Sequence, residues 1–314
     1  PLAPPAGQAL ERSAEYDRLF ADGRLDVAIA IGFNEEIDAD GHLLHKGTVR
    51  EVARGLESDG FRSVSADRIR GMDPAERRRL GLTEDRLDPY VAYYVRSDGP
   101  GDTVVRLIQP GVENDGARAR ASFARALQQD EVVIYAGHAR YGTGPDFDPI
   151  DSGSGNFVID GHGNRDPERH GPPAGLRGAI GADERTDLPE LSSRPGYQLL
   201  IFNGCSTEEY LHNLRNRRAF DRDMANTDVI ATTMAMRVAT LPGHILGFVS
   251  GVTARKSNNE MLGEQSRLEQ NFLRQRPDTI HLVPAAAMAY SESGFLRNPG
   301  NRHGPGPASP QVPR

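Results

Sequence analysis

The chain has 314 residues, a formal net charge of −7, 37% hydrophobic residues, 34 glycines and 22 prolines. The negative charge argues against a protein that binds nucleic acid or anionic membranes, and the length suits one large domain or two small ones. Cys205 is the only cysteine. The fold therefore does not depend on an internal disulfide, and cysteine-based zinc ribbons and Cys-x-x-Cys redox chemistry are excluded.

The first half of the chain alternates predicted strands and helices. Residues 1–24 are expected to form a linker and a peripheral helix. Apolar runs and helical spacing predict a strand over 25–32, a helix over 48–56, strands over 89–96 and 103–109, and a helix over 117–128. In the last of these helices, Ala121 and Phe123 are expected on the inner side. The loop over residues 33–47 is rich in acids.

The second half continues the same alternation. Strands are predicted over 131–136 and 198–203, separated by a long stretch rich in glycine and aspartate. A helix follows, starting with a capping box at 206–209, and then come a strand over 228–232, a helix over 235–256 with a break near Pro242, and a helix over 258–274. The pattern predicts an α/β sandwich over residues 25–297 and a disordered Gly/Pro-rich tail over 298–314.

Two of these strands end alike. One apolar run stops at Gly137-His138, and the other stops at Gly204-Cys205. Buried apolar runs of this length suit parallel strands covered on both faces, and ligands bind outside the carboxyl ends of such strands. Neighbouring strands with these ends would place an imidazole beside a thiol. A thiol nucleophile with an adjacent base is the smallest set of groups needed for acyl transfer.

Each of the two residues has an alternative interpretation. A lone cysteine is often a small core residue. At a strand end before a predicted helix, however, Cys205 is expected to have a lowered thiol pKa. His162 also follows a short apolar run between glycines and competes with His138. We favour His138, because its strand is longer and follows a helical segment, whereas residues 157–159 look like a hairpin arm.

A strand ending in Gly137-His138, followed by a strand ending in Gly204-Cys205, resembles the caspase-like (clan CD) cysteine peptidases, with the CHAT and separase branches closest. Residues 152–161 look like the segment between the catalytic residues of bacterial CHAT domains, and residues 228–234 look like the strand that follows the cysteine. The resemblance implies a caspase-like three-layer α/β/α sandwich with a mostly parallel central sheet.

The resemblance also implies a mechanism and a set of site residues. Cys205 would attack the scissile carbonyl to form a thioester, while His138 protonates the leaving amine and then activates water. Backbone groups of Gly137, Ala139 and Gly204 are expected to bind the oxyanion or the substrate. Ala139 departs from the family pattern, in which glycine usually follows the histidine.

Acids in the loops near this edge suggest the specificity. We expect cleavage after Arg, then Lys, with Asp148 or Asp151 as the pocket acid and Glu35 as the alternative. The loops hold no regular pattern of oxygen ligands for Ca²⁺. We therefore predict no metal site and no cofactor.

Two other functions stay open: a catalytically silent caspase-like binding module, to which Ala139 gives weight, and a cysteine acyltransferase or ligase that uses the same dyad. A protein or peptide substrate is expected, with no nucleic acid and no membrane as partner. A regulatory partner or a fused domain is left open. The expected location is cytoplasmic, with secretion after removal of an upstream segment as the alternative.

Overall fold

The structure of the protein, a computed structural model, describes residues 18–83, 87–88, 91–97, 101–110, 116–139, 145–149, 196–205, 207, 227–232, 236–275 and 295–297. The structural statements that follow concern these ranges.

A mixed sheet of eight strands forms the centre of the described structure. Its strands are β1 (Arg24–Ile31), β2 (Arg62–Val64), β3 (Val91–Arg96), β4 (Asp102–Ile108), β5 (Val132–Ala136), β6 (Gln198–Asn203), β7 (Thr227–Thr232) and β8 (Phe295–Arg297). Their spatial order is β2-β3-β4-β1-β5-β6-β7-β8. The five strands β4, β1, β5, β6 and β7 run parallel, whereas β3 and β8 are antiparallel to their neighbours.

Helices cover both faces of this sheet. The described helices are α1 (Leu44–Ser58), α2 (Ala66–Arg70), α3 (Pro74–Arg79), α4 (Gly116–Gln129), α5 (Leu241–Thr253) and α6 (Asn258–Gln275), with a 3₁₀ turn over Val238–Thr240 before α5. α1 and α5 pack on one face through Val52, Leu56 and Phe248, and α4 packs on the other through Phe123 and Leu127. The predicted α/β/α sandwich with a mostly parallel sheet is confirmed.

The central strands are apolar along their length because both faces are covered. Every residue of β5 and β6 is buried. Successive side chains point to opposite faces. Ile134 and Ala136 therefore join the core under α1 and α5, whereas Val133 and Tyr135 join the core under α4. This alternation determines which face the residues after each strand reach.

A buried polar cluster joins α5 to α6. His244 is wholly buried and has both ring nitrogens near acceptors: Nδ1 lies 2.7 Å from Gln265 Oε1, and Nε2 lies 2.7 Å from Glu269 Oε1. Glu269 also accepts hydrogen bonds from Thr240 (2.6 Å) and Arg237 (3.3 Å). The cluster fixes the 3₁₀ turn and the start of α5 against α6.

Most predicted elements agree with the structure to within a few residues, but two predictions were wrong. Pro242 does not break a helix: it lies in the first turn of α5, where a missing N–H costs no helical hydrogen bond, and the helix begins only at Leu241. Ala121 is exposed, although Phe123 is buried as predicted. Residues 298–314 and most of 1–24 lie outside the described ranges. Within those ranges every helix is too short or too polar to span a bilayer.

Candidate active site

Three neighbouring parallel strands end together beside the predicted catalytic residues. Ile31 of β1 pairs in register with Ala136 of β5, which pairs in turn with Asn203 of β6. His138 and Cys205 each follow two residues later in the chain. The prediction that the histidine strand and the cysteine strand are parallel neighbours is therefore confirmed.

A glycine follows each of the three strands, and close packing explains why. The Gly32 N–H donates to the Ala136 carbonyl (2.8 Å), and the Gly137 N–H donates to the Asn203 carbonyl (3.2 Å). A Cβ atom on Gly137 would lie 2.7 Å from the Gly32 Cα, and one on Gly204 would lie 2.6 Å from the Gly137 carbonyl oxygen. Backbone approaches this close leave no room for a side chain.

Tyr135 fixes the chain on either side of this glycine layer. Its hydroxyl donates to the carbonyl of His138 (2.6 Å) and accepts the N–H of Asp146 (3.0 Å). The carbonyl of Asp146 in turn accepts the N–H of Phe33 (2.9 Å). The wholly buried hydroxyl thus joins the segments after β1 and β5 to the loop that contains Asp146.

A cavity of about 130 Å³ lies at this edge, on the face of the sheet covered by α1 and α5. Both predicted catalytic residues line it. The full lining is Ile31, Gly32, Asn34, Glu36, His45, Thr48, Ala136, Gly137, His138, Cys205, Met236, Val238 and Leu241. Five of these thirteen residues have apolar side chains, and the polar side chains come mainly from the loop after β1 and from the start of α1.

His138 has a carboxylate neighbour. Glu35 Oε2 lies 3.7 Å from His138 Nε2, and both side chains are partly exposed, at 36% and 28%. The carboxylate forms an ion pair with the imidazole when the ring is protonated. Glu35 was predicted only as an alternative pocket acid, and its position beside the imidazole gives it a different part in the site.

Cys205 is a half-buried free thiol. It donates a long hydrogen bond to the carbonyl of Met236 (3.9 Å). Burial raises the pKa of the Cys205 thiol, the charge of Glu36 acts in the same direction, and the backbone hydrogen bond at Met236 opposes both. The lowered thiol pKa expected from the sequence therefore does not hold within the described structure, where loss of water around the sulfur is the larger influence.

Two titratable cavity residues were not predicted as site residues: Glu36, which the sequence marks only as one of several loop acids, and His45. Glu36 places its side chain in the lining close enough to Cys205 to affect the thiol. His45, at the start of α1, is buried, with Nδ1 held by the backbone of Asn34 at 3.1 Å. Both residues belong to the acidic loop and its junction with α1, and the packing of α1 against β1 and α5 brings them to the cavity that contains the thiol.

The three residues predicted to bind the oxyanion or the substrate differ in their position relative to the cavity. Gly137 lines the cavity, but its N–H is used in the hydrogen bond to β6, so it is not available to an oxyanion. Ala139 and Gly204 lie directly behind the lining, with the Ala139 Cβ 3.5 Å from the Cβ position of Gly204. Ala139 is buried and is not part of the cavity wall.

The predicted pocket acids lie away from the cavity or outside the described residues. Asp148 is buried beside Gly116 at the start of α4, on the opposite face of the sheet, and the carboxylate would contact any Cβ placed on that glycine. Asp151 and the competing histidine, His162, lie outside the described residues.

The described ranges contain one group of side chains with metal-ligand spacing: Asp38, Asp40 and His42, in the loop before α1. The Asp38 carboxylate already accepts the backbone N–H groups of Asp40 (3.0 Å) and His42 (2.8 Å). These hydrogen bonds from His42 and Asp40 hold the pKa of Asp38 below its ordinary value. The arrangement is that of a capped turn, and it gives no evidence for a bound ion.

Comparison of the chain with protein-family models, with curated proteins and with solved structures gave no match. The resemblance to caspase-like peptidases thus rests on the residues of this chain alone.

Proposed function

We propose that the protein is a caspase-like cysteine endopeptidase that cleaves peptide bonds through Cys205 and His138. The observation that supports this most is their joint position in one cavity at the carboxyl ends of two adjacent parallel strands. Substrates of α/β proteins bind at this edge of the sheet. A thiolate nucleophile in the Cys205 side chain suits a reducing compartment such as the cytoplasm.

The first chemical step transfers a proton from Cys205 to His138. Burial favours the neutral thiol, so the imidazole must be a strong enough acceptor to generate the thiolate. Glu35 supplies that strength, because its carboxylate, 3.7 Å from Nε2, stabilises the imidazolium that forms. Glu35 is therefore a positioning residue: it acts by stabilising the protonated form of His138.

The remaining steps follow from this proton. The thiolate adds to the scissile carbonyl, and the tetrahedral intermediate collapses when the His138 imidazolium gives its proton to the leaving amine, which leaves a thioester on Cys205. Water then attacks the thioester while His138 takes a proton from it, and the carboxylic acid product leaves as the thiol is restored. Side chains and water supply all the atoms, so the proposed chemistry needs no cofactor.

The proposed substrates carry Arg, and less favourably Lys, before the cut. Glu36 replaces Asp148 as the acid that supports this preference, because it is the carboxylate in the cavity lining. A guanidinium pairs with a carboxylate through two parallel hydrogen bonds, whereas an ammonium makes a single point contact. Asp151 remains the alternative pocket acid.

A second function, a catalytically silent binding module of the same fold, is favoured by one observation. Burial and Glu36 both raise the pKa of the Cys205 thiol, which weakens it as a nucleophile in the absence of a substrate. A cavity with this lining would still hold a peptide side chain.

The experiment that separates the two functions uses acyloxymethyl-ketone peptide probes that carry Arg, Lys, Asn, Asp or Leu, followed by intact mass. One adduct of the Arg probe is expected, since the chain has a single cysteine. Cys205→Ala should lose the adduct while keeping the fold. His138→Ala should lower the labelling rate at least about a hundredfold, the usual contribution of an acid–base group, and His162→Ala should have little effect.

Each outcome bears on a different part of the proposal. A folded protein that none of the probes labels supports the silent module. Cleavage of a peptide by purified Cys205→Ala protein would end the peptidase assignment. If His162→Ala is more damaging than His138→Ala, the wrong histidine has been chosen. Transfer of the acyl group to an added amine in preference to water would favour a ligase over a peptidase.

A further inference from the structure

His45 shares the cavity with Cys205 and His138 but has no part in the mechanism above. Its ring is buried and packs against Phe33, with 4.7 Å between ring centroids. Nδ1 lies 3.1 Å from the carbonyl oxygen and 3.2 Å from the backbone nitrogen of Asn34. Because the backbone of Asn34 occupies Nδ1, the ring nitrogen left for a ligand in the cavity is Nε2.

The ring has few charged neighbours within the described structure. Burial lowers the pKa of His45 below its ordinary value of 6.5; the hydrogen bond with Asn34 opposes this, Lys46 lowers the pKa further, and Glu35 raises it. The titratable and charged groups around the ring are Glu35, Glu36, Lys46, His138 and Cys205. The wall formed by the 3₁₀ turn and α5 is apolar. Burial therefore favours the neutral form of His45, and protonation in acid would charge the ring.

We propose that His45 is a specificity-determining residue that makes the preference for a basic side chain depend on pH; the proposal rests on the proposed function above. The neutral ring of His45 lies in the same cavity without a charge that would oppose the guanidinium or ammonium group of the substrate. Glu36 offsets the charge of that group at the cavity lining.

Protonation of His45 opposes the binding of a basic side chain, because the imidazolium places a positive charge beside the bound cation. The discrimination between a basic side chain and a neutral one of the same shape therefore falls when His45 is protonated, and a His138 imidazolium in the same cavity lowers it further.

The test uses two peptides that differ at one position, which holds either Arg or citrulline. Citrulline has the length of Arg but a neutral urea group, and the charge of Arg is constant between pH 5 and pH 8. Binding is measured by calorimetry on the Cys205→Ala protein, so that it does not require turnover. We expect the ratio of the citrulline Kd to the Arg Kd to fall between pH 8 and pH 5, by up to about fivefold when the ring is fully protonated, the effect of one like charge about 4 Å away.

Three further variants in the same background identify the titrating group. His45→Gln keeps a hydrogen-bonding side chain without a titratable charge, and its ratio should fall clearly less between the two pH values. His42→Gln is the matched control: this histidine is three residues away, its side chain is 56% exposed, and the fall should persist. Glu36→Gln should lower the ratio at both pH values and keep the pH dependence.

Any of three results overturns the proposal: a ratio that does not change with pH in the Cys205→Ala protein, a fall in His45→Gln as large as in the Cys205→Ala protein, or no binding of either peptide at millimolar concentration. The first of these needs no folded His45 variant. Turnover of the same peptides by the intact protein is measured separately. pH-dependent binding without cleavage would refute the peptidase and support this inference, whereas cleavage with pH-independent discrimination would refute only this inference.

Discussion

We expect Tyr135→Phe to lower the free energy of unfolding by about 2 kcal/mol. The substitution removes one oxygen atom and leaves the ring in place. That oxygen donates to the His138 carbonyl at 2.6 Å and accepts the Asp146 N–H at 3.0 Å, in a region from which water is excluded. A net hydrogen bond is worth about 1 kcal/mol, and a buried group left without a partner costs about 1–3 kcal/mol.

The assay is urea unfolding of the wild-type and variant proteins, analysed by linear extrapolation. Tyr94→Phe is the matched control: Tyr94 is also a buried tyrosine, but its hydroxyl makes no hydrogen bond within the described structure. Its loss should change the free energy of unfolding by less than about 0.5 kcal/mol. The same two variants are compared in probe labelling, where only Tyr135→Phe should be slower, because it releases the backbone of His138.

Equal destabilisation by Tyr135→Phe and Tyr94→Phe would refute the argument. The lower free energy of unfolding would then be a general effect of removing a buried tyrosine hydroxyl and not of losing these two hydrogen bonds. A stability loss at Tyr135 without a change in the labelling rate would show that the hydroxyl supports the fold and not the position of His138.

Two further predictions concern stability. Gly137→Ala should lower the free energy of unfolding by about 1–3 kcal/mol, because its Cβ would lie 2.7 Å from the Gly32 backbone. Gly47→Ala, in α1, should stabilise the protein by up to about 1 kcal/mol, because a Cβ there would have no atom within 4 Å. Urea midpoints of the two variants check both signs. Burial alone would raise the pKa of Glu269, but hydrogen bonds from His244 and Thr240 hold it below its ordinary value of 4.5. The ionised carboxylate therefore stabilises the folded state above about pH 4.5, and this stabilisation is lost as the pH falls through the lower folded-state pKa. The difference in unfolding free energy between wild type and Glu269→Gln should therefore shrink between pH 6 and pH 3; a constant difference would contradict the assignment.

The centre of the sheet was predictable from the sequence because its signal is local. β1, β5 and β6 are apolar runs that end at a glycine. Such runs are typical of parallel strands in a sheet covered on both faces. The edge strand β2 has only three residues, two of them exposed, so no periodicity marks it. The start of α1 was missed for a similar reason: no side chain caps it, and its first turn holds no acid.

The site was predictable only in part, because its chemistry comes from two different sources. His138 and Cys205 follow strand ends, and the rule that ligands bind at carboxyl ends of parallel strands identifies such positions from sequence. Glu36 and His45 lie in a loop and at a helix start, and their place in the cavity depends on how α1 packs against β1. The sequence identified the loop as acidic but did not distinguish Glu35, beside the imidazole, from Glu36, in the cavity lining.

The two adjacent acids should have opposite effects on the thiol, which gives a last prediction. Glu36 raises the pKa of Cys205, so Glu36→Gln should increase the thiolate fraction and the rate of alkylation by iodoacetamide at pH 7.5 by about twofold to fivefold in low salt. Glu35→Gln removes the carboxylate 3.7 Å from His138 and should slow the same reaction, because the imidazolium that accompanies the thiolate loses its partner.

Because the chain has one cysteine, intact mass reports this rate without ambiguity. Changes in the same direction for both variants would contradict the assignment of separate parts to the two acids. If the signs are opposite as expected, a cationic substrate side chain that neutralises Glu36 would itself lower the pKa of the Cys205 thiol. Substrate selection and activation of the nucleophile would then depend on the same carboxylate, and the thiol would stay protonated until a basic side chain enters the cavity.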